Sequence, residues 1–553
     1  MTQGRFITFP GLTGKAYLHP WKNPDRKFNS REEELTPADG LLTLKRTFFP
    51  DASKELKKAT VRATALGIFD MFLNGERITG AGEDADELKP GWTDYRKRVF
   101  EFEYDVTGSV SAEDNLFVAE VSPGWWNGRI SFGFYKWKPN AFCAEIILDY
   151  ADGSSDVYAT GPDWDAAVCG PVLRADIWDG EYYDARIPEP SIEPEAHKWE
   201  KAVLFDGFEG DIVPAEGPRI RSCEEMSLSP QSAVVYRGAE DNGSPLGKIR
   251  TVSKKVGDRC AATRISAGDT LLVDFGQNTV GRPVIFLKSP RGRKITVYFA
   301  EMLNDSGDPA RGNDGPEGSA YIKNYRSALA RLVYVAAGTG DTEVYFPTHT
   351  FFGYRYLEIV ADGDAEITGV IADVVRSDVE ETGDFFCDNP EVNRLFSNIA
   401  WGMRGNYLSV PTDCPQRDER LGWTGDTQIF CGAASYLGDV DGFLRKWLRD
   451  ARDSQEGYGG AYCDVIPRVF EHHGGNAAWG DAGLIVPWRL WLMYADRDII
   501  LEHYDSMESY MNYLGQYGLE GPNTAYGDWL NYDVTDKRYI AVCFFYYDAV
   551  LMV

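Results

Sequence analysis

The hydrophobic residues of this 553-residue chain change their spacing once, near Asp384, and that change limits the possible architectures. Before Asp384, apolar and polar residues alternate in short runs, which is the two-residue period of half-buried β-strands. After it, apolar residues recur every three or four positions, which is the period of an amphipathic α-helix. A single change of this kind predicts a β-rich part followed by an α-helical part.

The β-rich part predicts two sandwiches. Its short apolar runs are separated by Gly, Pro, Asp and Ser, as in "KKATVRATALGIFDMFLNGERI", where Asn74-Gly75 predicts a hairpin turn. A Pro- and Glu-rich stretch at 187–200 is typical of a linker or of a strand that crosses between domains. We therefore predict one β-sandwich at 1–220 and a second at 221–380.

The third predicted domain spans 381–553 and is α-helical. Its first helix is indicated by Asp388 or Asn389 as the capping residue and by Pro390 in the first turn. The apolar stripe of this helix comprises Val392, Leu395, Phe396, Ile399 and Met403. Two later segments, "DGFLRKWLRDARDS" and "RDIILEHYDSMESYMNYLGQY", repeat the pattern, the second with a stripe of Ile500, Tyr504, Met507, Met511 and Leu514. The segment "WGDAGLIVPWRLWLMYAD" is apolar nearly all round, which predicts a buried helix.

The charge and the cysteines narrow the possible partners. A net charge of −28 weighs against nucleic acid and anionic membranes, because both select basic surfaces. No stretch approaches the roughly 18 uninterrupted apolar residues of a membrane span, and the N-terminus does not have the pattern of a secretory signal. Nine scattered cysteines without a CxxC pair indicate reduced thiols rather than disulfides or zinc. We therefore expect a cytoplasmic protein, and the sequence leaves its oligomeric state open.

The segment "VPTDCPQRDERLGWTGDTQ" concentrates carboxylates beside arginine and indole. Asp413, Asp418, Glu419 and Asp426 lie within fourteen positions that Pro and Gly prevent from forming one helix. Carboxylates accept hydrogen bonds from sugar hydroxyls, and aromatic faces cover the apolar C–H surfaces of sugars. Glycoside hydrolysis also requires two carboxyl groups, one of them protonated. The alternative is a capping and salt-bridge loop in which these acids pair with Arg417 and Arg420.

The sixteen residues "DCPQRDERLGWTGDTQ" resemble the signature of bacterial α-L-rhamnosidases, glycoside hydrolase family 78. The segments "LKPGWTDYRKRVFEFEYDVT" and "SPGWWNG" resemble the N-terminal sandwich of that family. Its second, concanavalin-like sandwich is matched by "VDFGQNTVGRP" and "FFGYRYLEI", and its (α/α)6 barrel by "AWGDAGLIVPWRLWLMYADRDIILEHYDSM" and "GDWLNY". The resemblance therefore implies two β-sandwiches followed by an all-α (α/α)6 barrel with the catalytic site.

The resemblance also implies roles for single residues. Glu419 matches the general acid, and Asp413 and Asp426 match carboxylates that hold the rhamnose hydroxyls. Trp423 matches an indole that lines the sugar pocket, and Arg417 an arginine that orients the acids. A supporting role falls to Asp418, and further pocket positions to Trp479, Asp481, Asp528 and Trp529. For the two last-named tryptophans, Trp479 and Trp529, packing in the core is the alternative.

The implied reaction is hydrolysis of terminal α-L-rhamnosyl bonds with inversion, in which Glu419 protonates the glycosidic oxygen and a second carboxylate activates water. The implied partner is a rhamnose-containing carbohydrate, and no cofactor is required. Two alternatives remain, a rhamnose-binding protein without turnover and another (α/α)6 enzyme such as a polysaccharide lyase. A lyase would release an unsaturated product that absorbs in the ultraviolet.

Two further positions carry side chains that are able to bind metal ions. Asn127, after Trp125-Trp126, is a candidate for sugar or Ca²⁺ binding in the first sandwich, as in some members of the resembling family, but we favour a structural turn. His472-His473 has no third ligand at helical spacing and is better explained as part of a loop near the pocket rim. We therefore expect no metal site.

The barrel is expected to be incomplete in this chain. Twelve helices with their connections need roughly 200 residues, and the segment from Asp384 to Val553 is shorter and offers about six helices. The last residues, "AVCFFYYDAVLMV", are typical of the middle of a buried helix. In the resembling family the water-activating glutamate comes from a later loop of the barrel, so we expect the general base to lie beyond Val553.

Overall fold

The computed structural model describes residues 4–13, 28–80, 86–130, 133–134, 138–257, 263–470, 474–518 and 525–553. The change of period near Asp384 is confirmed, because the last long strand ends at Ser377 and the first long helix begins at Pro390. In the described residues no helix is both long and apolar enough to cross a membrane. The chain therefore has a β-rich part and a helical part, in that order.

The first β domain consists of two sheets that face each other. Up to residue 214 the strands are β1 (Ile7–Thr8), β2 (Leu41–Phe48), β3 (Leu56–Leu66), β4 (Ile68–Leu73), β5 (Glu76–Arg77), β6 (Arg98–Asp105), β7 (Asn115–Ser122), β8 (Arg129–Ile130), β9 (Gly133–Phe134), β10 (Ala141–Tyr150), β11 (Ser155–Ala159), β12 (Asp165–Cys169), β13 (Val172–Asp176), β14 (Gly180–Asp184), β15 (Glu200–Lys201), β16 (Val203–Leu204) and β17 (Asp211–Pro214). One sheet has the order β16-β1-β10-β3-β6-β17 with β11 beside β10, and the other has the order β15-β12-β2-β7-β4-β5. Phe69 and Phe117 of the second sheet pack against Phe142 of the first, with ring centroids 5.8 and 6.3 Å apart.

The predicted hairpin at Asn74-Gly75 is confirmed. Leu73 pairs with Glu76 across the turn, and both turn residues have positive φ, 54° and 85°. This is the conformation that a two-residue turn between twisted strands requires, and Asn and Gly adopt it with the least strain.

The second β domain is built on one large, folded sheet. Its strands are β18 (Ile220–Leu228), β19 (Ser232–Glu240), β20 (Lys248–Val256), β21 (Thr263–Ile265), β22 (Thr270–Lys288), β23 (Lys294–Ala300), β24 (Met302–Leu303), β25 (Ala320–Tyr321), β26 (Arg331–Val335), β27 (Glu343–Tyr345), β28 (Phe352–Ala361) and β29 (Ala365–Ser377). The first half of β22 pairs with β19 and β28, and its second half pairs with β29 and β27. One bent strand therefore joins both halves of the domain.

Hydrogen bonding crosses the boundary that was predicted at residue 220. Strands β13 and β14 precede that boundary, yet β14 pairs in parallel with β26 of the large sheet. The chain then returns through 187–200 to β15 and β17, which belong to the first domain. The two β domains are thus interlocked, because a strand pairs wherever a free sheet edge is available, irrespective of sequence order.

Six α-helices occupy the described residues after 381. A short helix, α1 (Gly124–Asn127), precedes them in the first domain, and the six are α2 (Pro390–Asn406), α3 (Thr424–Leu437), α4 (Asp441–Ser454), α5 (Ala482–Tyr494), α6 (Asp498–Gly515) and α7 (Lys537–Met552). The short strands β30 (Tyr407–Leu408) and β31 (Val410–Pro411) connect α2 to the loop before α3. The predicted start of α2 is confirmed, because the side chain of Asn389 accepts a hydrogen bond from the amide of Glu391.

Two predicted apolar stripes differ from the structure. On α2, Met403 is buried but Val392, Leu395 and Ile399 are 38%, 57% and 36% exposed. The helix packs against β22, β29 and β30, and this contact uses an adjacent face. On α6, Met507 and Leu514 are buried and Ile500 and Met511 pack against the core as predicted, and the difference is confined to Tyr504, which is exposed. The periodicity was right in both helices, but the partner selects which face is covered.

Buried ion pairs join the two β domains. Arg282 of β22 donates to Glu87 of the first domain at 2.7 Å and to Asp373 of β29 at 2.9 Å. Glu87 also accepts from Arg77 at 3.0 Å. Burial alone would raise the pKa of Glu87, but the charges of Arg282 and Arg77 lower it below its ordinary value. Each charge is compensated only while its partners are present.

Replacing Arg282 with methionine should therefore destabilise the β-rich part. Arg282→Met leaves Glu87 and Asp373 buried without their shared cation, which should cost roughly 3–5 kcal/mol. The midpoint of urea unfolding, followed by tryptophan fluorescence, measures the loss. The matched control is Arg311→Met, because Arg311 pairs with Asp305 on an exposed loop and its loss should barely move the midpoint. Equal midpoints for both variants would contradict a stabilising role of the buried network.

Candidate active site

The loop between β31 and α3 carries the carboxylate-rich motif. The amide of Asp413 donates to the carbonyl of Leu421 at 2.9 Å, and the amide of Leu421 donates to Asp413 Oδ1 at the same distance. These two bonds close the loop at its base. The intervening residues, which include Arg417 and Glu419, are therefore held as one compact turn rather than as an extended connection.

Arg420 fixes this loop to the second β domain. Its guanidinium is buried and donates to the carbonyls of Ile177, Phe351 and Gln416 at 2.8, 3.1 and 2.9 Å. Burial lowers the pKa of Arg420 to about 10. The salt-bridge interpretation of the motif thus fails for Arg420, whose donors bind backbone carbonyls instead of carboxylates.

Glu419 lies at the centre of the cluster. Arg417 Nε donates to its Oε2 at 3.1 Å, and the indole Nε1 of Trp423 donates to its Oε1 at 2.9 Å. Arg417 Nη2 also donates to Asp413 Oδ2 at 3.2 Å. The side chain of Glu419 is 12% exposed, so it is largely desolvated yet remains accessible. Four of the predicted site residues, Asp413, Arg417, Glu419 and Trp423, are therefore linked by direct hydrogen bonds.

The environment favours the neutral form of two carboxyl groups. Burial, and after it the negative charge of Glu419, raise the pKa of Asp413 to about 6. Asp426 lies in the first turn of α3 at a solvent-accessible position, and desolvation by the surrounding protein raises its pKa as well. A crowded acidic site of this kind can hold a proton close to neutral pH.

Asp418 faces the second β domain rather than the open side of the site. Its carboxylate accepts from Arg326 Nε at 2.5 Å, from the amide of Ser327 at 3.0 Å and from the Ser327 hydroxyl. Arg326 also donates to Glu419 at 2.8 Å. Sequence reasoning missed Arg326, because it lies 93 residues before Glu419 in a loop without a motif.

Aromatic rings form one wall of the site. The rings of Trp479 and Tyr526 are 4.4 Å apart, and Trp423 meets Tyr526 edge-on at 5.9 Å. Gly425 lies directly under Trp479, where a Cβ would come within 2.7 Å of the indole. Trp479 is 8% exposed, so both of its predicted roles, packing and pocket lining, are compatible with its position. Tyr526 was not predicted, and no local signal distinguished it from other tyrosines.

Three predicted positions lie at the margin of the cluster or outside it. Asp481 is buried at the start of α5, where it accepts from the Tyr510 hydroxyl at 3.0 Å and from the amide of Ala478. Asp528 accepts from Asn531 and Thr535 within its own exposed loop. Trp529 is 60% exposed and meets Tyr526 edge-on at 5.7 Å. The described geometry thus connects Trp529 to the aromatic wall, whereas the hydrogen bonds described for Asp481 and Asp528 are to residues outside the acid cluster.

Family comparisons match almost the whole chain. Residues 380–553 match the bacterial alpha-L-rhamnosidase 6 hairpin glycosidase domain, 54–224 the alpha-L-rhamnosidase N-terminal domain, and 264–376 the bacterial alpha-L-rhamnosidase concanavalin-like domain. The chain belongs to the bacterial α-L-rhamnosidase family. The predicted succession of two β domains and a helical glycosidase domain is thereby confirmed.

Single relatives agree with the family match. The chain is 37% identical over 509 residues to an α-L-rhamnosidase of Streptomyces avermitilis. This match covers 90% of this chain and 44% of that protein. It is 34% identical over 522 residues to an α-L-rhamnosidase of Alteromonas sp. strain LOR, with 92% and 51% covered. The chain therefore spans about half the length of these curated relatives.

Solved structures give the same result. The crystal structure of the Streptomyces avermitilis α-L-rhamnosidase complexed with L-rhamnose aligns with a TM-score of 0.79 at 36% identity, over 93% of this chain and 46% of that one. The α-L-rhamnosidase structure from Dictyoglumus thermophilum aligns with a TM-score of 0.79 at 27% identity, over 100% of this chain and 56% of that one.

A cleft of about 430 Å³ adjoins the acid cluster of this rhamnosidase-family chain. Asp413, Gln416 and Arg417 form its side toward the motif loop. The opposite sides come from the second β domain, with Asn278 and Glu301, and from α2; the lining of α2 consists of Asn398, Trp401, Gly402, Gly405 and Asn406. Amides, carboxylates and one indole are side chains suited to a hydroxyl-rich ligand.

The same cluster is a poor metal site. Asp413, Cys414 and Glu419 place one potential ligand atom each within 4.8 Å of one another. Arg417 already donates to both carboxylates, and burial and the charge of Asp413 keep the pKa of Cys414 well above its ordinary value. A protonated thiol beside a guanidinium does not suit Zn²⁺ or Ca²⁺. His472-His473 lies outside the described residues, and Asn127 donates to the Lys138 carbonyl at 2.8 Å, as a structural turn residue would.

The raised pKa of Asp413 predicts a pH-dependent stability difference. Asp413 has a pKa of about 6 in the folded chain against 3.8 as a model compound. Its folded pKa is the higher one, so ionisation lowers stability progressively as pH rises through about 6. The uncharged variant Asp413→Asn should therefore gain stability relative to the parent between pH 4 and 7, by up to roughly 2–3 kcal/mol.

Thermal melting of both proteins across this pH range measures the difference. Asp341→Asn removes one charge from an exposed loop of the second β domain and serves as the control. A parent-minus-variant difference in melting temperature that stays constant from pH 4 to 7 would contradict the raised pKa.

Proposed function

We propose that this chain carries the acid half of an α-L-rhamnosidase site, which cleaves terminal α-L-rhamnosyl bonds of rhamnose-containing carbohydrates. The observation that supports this most is the direct contact of Glu419 with Arg417, Trp423 and, through Arg417, Asp413. Relatives that are named α-L-rhamnosidases match the chain over this segment. One of the aligned structures is titled as a complex with L-rhamnose.

In this proposal Glu419 donates its proton to the glycosidic oxygen as the C1–O bond breaks. Asp413 and Asp426 accept hydrogen bonds from sugar hydroxyls, and the indoles of Trp423 and Trp479 cover the apolar face of the ring. The low exposure of Glu419 strengthens its electrostatic interactions with the developing charge. No redox or organic cofactor takes part in this chemistry.

We further propose that the water-activating carboxylate is supplied by a part of the whole protein that lies outside this chain. Inversion requires a base about 6.5–9.5 Å from the acid, on the opposite face of the sugar. In the described residues, the two carboxylates next to Glu419 are already paired, Asp418 with Arg326 and Asp413 with Arg417. The relatives are about twice as long as the part that this chain matches.

The helical surface supports the same proposal. Large apolar side chains are exposed on five of the six long helices, namely Val392, Leu395, Ile399, Ile429, Leu492, Leu501, Val542 and Val550. Soluble proteins rarely expose so much apolar surface unless it contacts something. We propose that further helices cover these faces and complete an (α/α)6 barrel.

The exposed faces predict self-association of the isolated chain. The double variant Leu395→Glu/Ile429→Lys should reduce association, because these side chains are 57% and 77% exposed and contribute little to the core. Light scattering at increasing concentration measures the effect. Leu444→Lys, at a fully buried position of α4, is the contrasting control and should unfold the helical part. Identical scattering of the parent and the double variant would contradict the proposal of a covered surface.

The assignment of Glu419 is tested with azide on this same chain. If the acid is present and the base is not, azide can replace water: it attacks C1, the glycosidic bond breaks, and Glu419 protonates the departing oxygen. Aryl α-L-rhamnosides should then yield the aryl alcohol and β-L-rhamnosyl azide. Glu419→Gln should lower this rate by roughly 10²–10⁴ for leaving groups that need a proton.

The leaving group separates the possible outcomes. With a dinitrophenyl group, which needs little protonation, Glu419→Gln should lose far less activity, and Glu508→Gln on the exposed face of α6 should lose none. Equal losses for good and poor leaving groups would contradict the role of Glu419 as the acid. Binding of L-rhamnose without any azide-dependent release would favour the non-catalytic binding protein.

A further inference from the structure

Arg326, in the second β domain, has an unusual backbone conformation. It follows the short 3-10 turn Lys323–Tyr325 and has φ 54° and ψ −120°. Residues other than glycine rarely adopt these backbone angles, and the conformation persists only where the surrounding structure enforces it.

Several buried contacts enforce the conformation. The hydroxyl of Tyr325, a fully buried residue, donates to the carbonyl of Gly353 at 2.5 Å. Asp314 Oδ2 accepts from the amides of Ile322 and Lys323 at 2.9 and 2.7 Å. On the other side, the amide of Leu329 donates to Asp179 at 2.6 Å. The loop is thus rigidly attached to its own domain before it meets the helical domain.

The guanidinium of Arg326 divides its donors between two carboxylates. Nε donates to Asp418 Oδ1 at 2.5 Å, and Nη2 donates to Glu419 Oε2 at 2.8 Å. Arg417 also donates to Oε2, whereas Oε1 receives only the indole N–H of Trp423 among the hydrogen bonds described. One oxygen of Glu419 is therefore bound by two cations and the other by a neutral donor.

The asymmetry has a chemical consequence. A proton on Oε2 would compete with two guanidinium groups for the same lone pairs, whereas among the hydrogen bonds described Oε1 accepts from a single neutral donor. The charged or titratable groups around Glu419 are Arg326, Arg417, Asp413, Cys414, Asp418 and Asp426. Of these, Arg326 is the one that comes from the second β domain.

We propose that Arg326 is a positioning residue, which together with Arg417 holds Glu419 Oε2 so that Oε1 is the oxygen that carries and donates the proton. This inference rests on the proposed role of Glu419 as the acid. It also assigns to the second β domain a part in the chemistry, since that domain supplies one of the two cations that orient the acid.

The indole N–H of Trp423 can report on Glu419 without any turnover. It donates to Oε1 at 2.9 Å, so its ¹H–¹⁵N resonance should shift when that carboxyl gains or loses its proton. In the ¹⁵N-tryptophan-labelled chain, Trp423→Phe assigns the resonance, and a pH series gives the midpoint of the transition. Arg326→Gln removes one cation and should move the midpoint upward by about one pH unit.

Two matched variants separate positioning from structural support. Arg326→Lys keeps the charge, so its pH midpoint should lie close to that of the parent chain. If Arg326→Gln does not fold, the comparison of Arg326→Lys with the parent chain is the test. Arg311→Gln removes an arginine from an exposed loop of the same domain and should leave the midpoint unchanged. With azide and a poor leaving group, Arg326→Gln should lower the release rate about tenfold and Arg326→Lys less.

The outcomes are distinct. A melting temperature that falls in Arg326→Gln while the Trp423 midpoint stays in place would mean that Arg326 is only structural, and the proposal would be overturned. The same holds if the resonance does not move between pH 4 and 9 in the parent chain. If the midpoint shifts as expected but no variant affects release from rhamnosides, the positioning stands and the proposed rhamnosidase function fails.

Discussion

The hydrogen bonds of the Arg420 guanidinium to backbone carbonyls are the constraint on which the site depends. The carbonyls of Ile177 and Phe351 belong to the β-rich part, and that of Gln416 belongs to the motif loop itself. The two hydrogen bonds between Asp413 and Leu421 close the loop at its base, and the Arg420 guanidinium joins the closed loop to the β-rich part. Because Arg420 is buried, it needs all of its acceptors, and the loop therefore has one orientation relative to the second β domain.

The orientation of the motif loop also depends on how firmly the two β domains are joined to each other. Strands β13 and β14 come from the first part of the chain but pair with β26 of the large sheet, and Arg282 links Glu87 to Asp373 across the two β domains. Buried ion pairs contribute little net stability compared with apolar packing, but they tolerate few alternative arrangements. The buried ion pairs here fix the arrangement of the two β domains, so that these domains and the motif loop act as a single support for Glu419.

Features that depend on neighbouring residues could be predicted from the sequence, whereas features that depend on contacts between distant residues could not. Asn74-Gly75 and Asn389-Pro390 specify a turn and a helix start through their own backbone preferences, and both were predicted from the sequence. The contacts of Glu419 with Arg417 and Trp423 could be anticipated because these residues are neighbours in one motif. Arg326 and Tyr526 were missed, because each reaches the site through a contact between distant parts of the chain. The predicted apolar face of α2 is exposed in this chain for a related reason: periodicity identifies an apolar face but not its partner.

The contacts of Glu419 are compatible with the proposed division of an inverting site between acid and base. The described hydrogen bonds to its carboxylate come from Arg326, Arg417 and Trp423, and the exposed faces of α2 and α3 provide none of them. Acid and base in an inverting glycosidase need not touch, because a sugar and a water molecule separate them. In the proposed function, the geometry of the acid would therefore be established on the β-rich part, and the base would be positioned independently of it. A retaining site, whose two carboxyl groups lie about 5 Å apart, would not permit this separation.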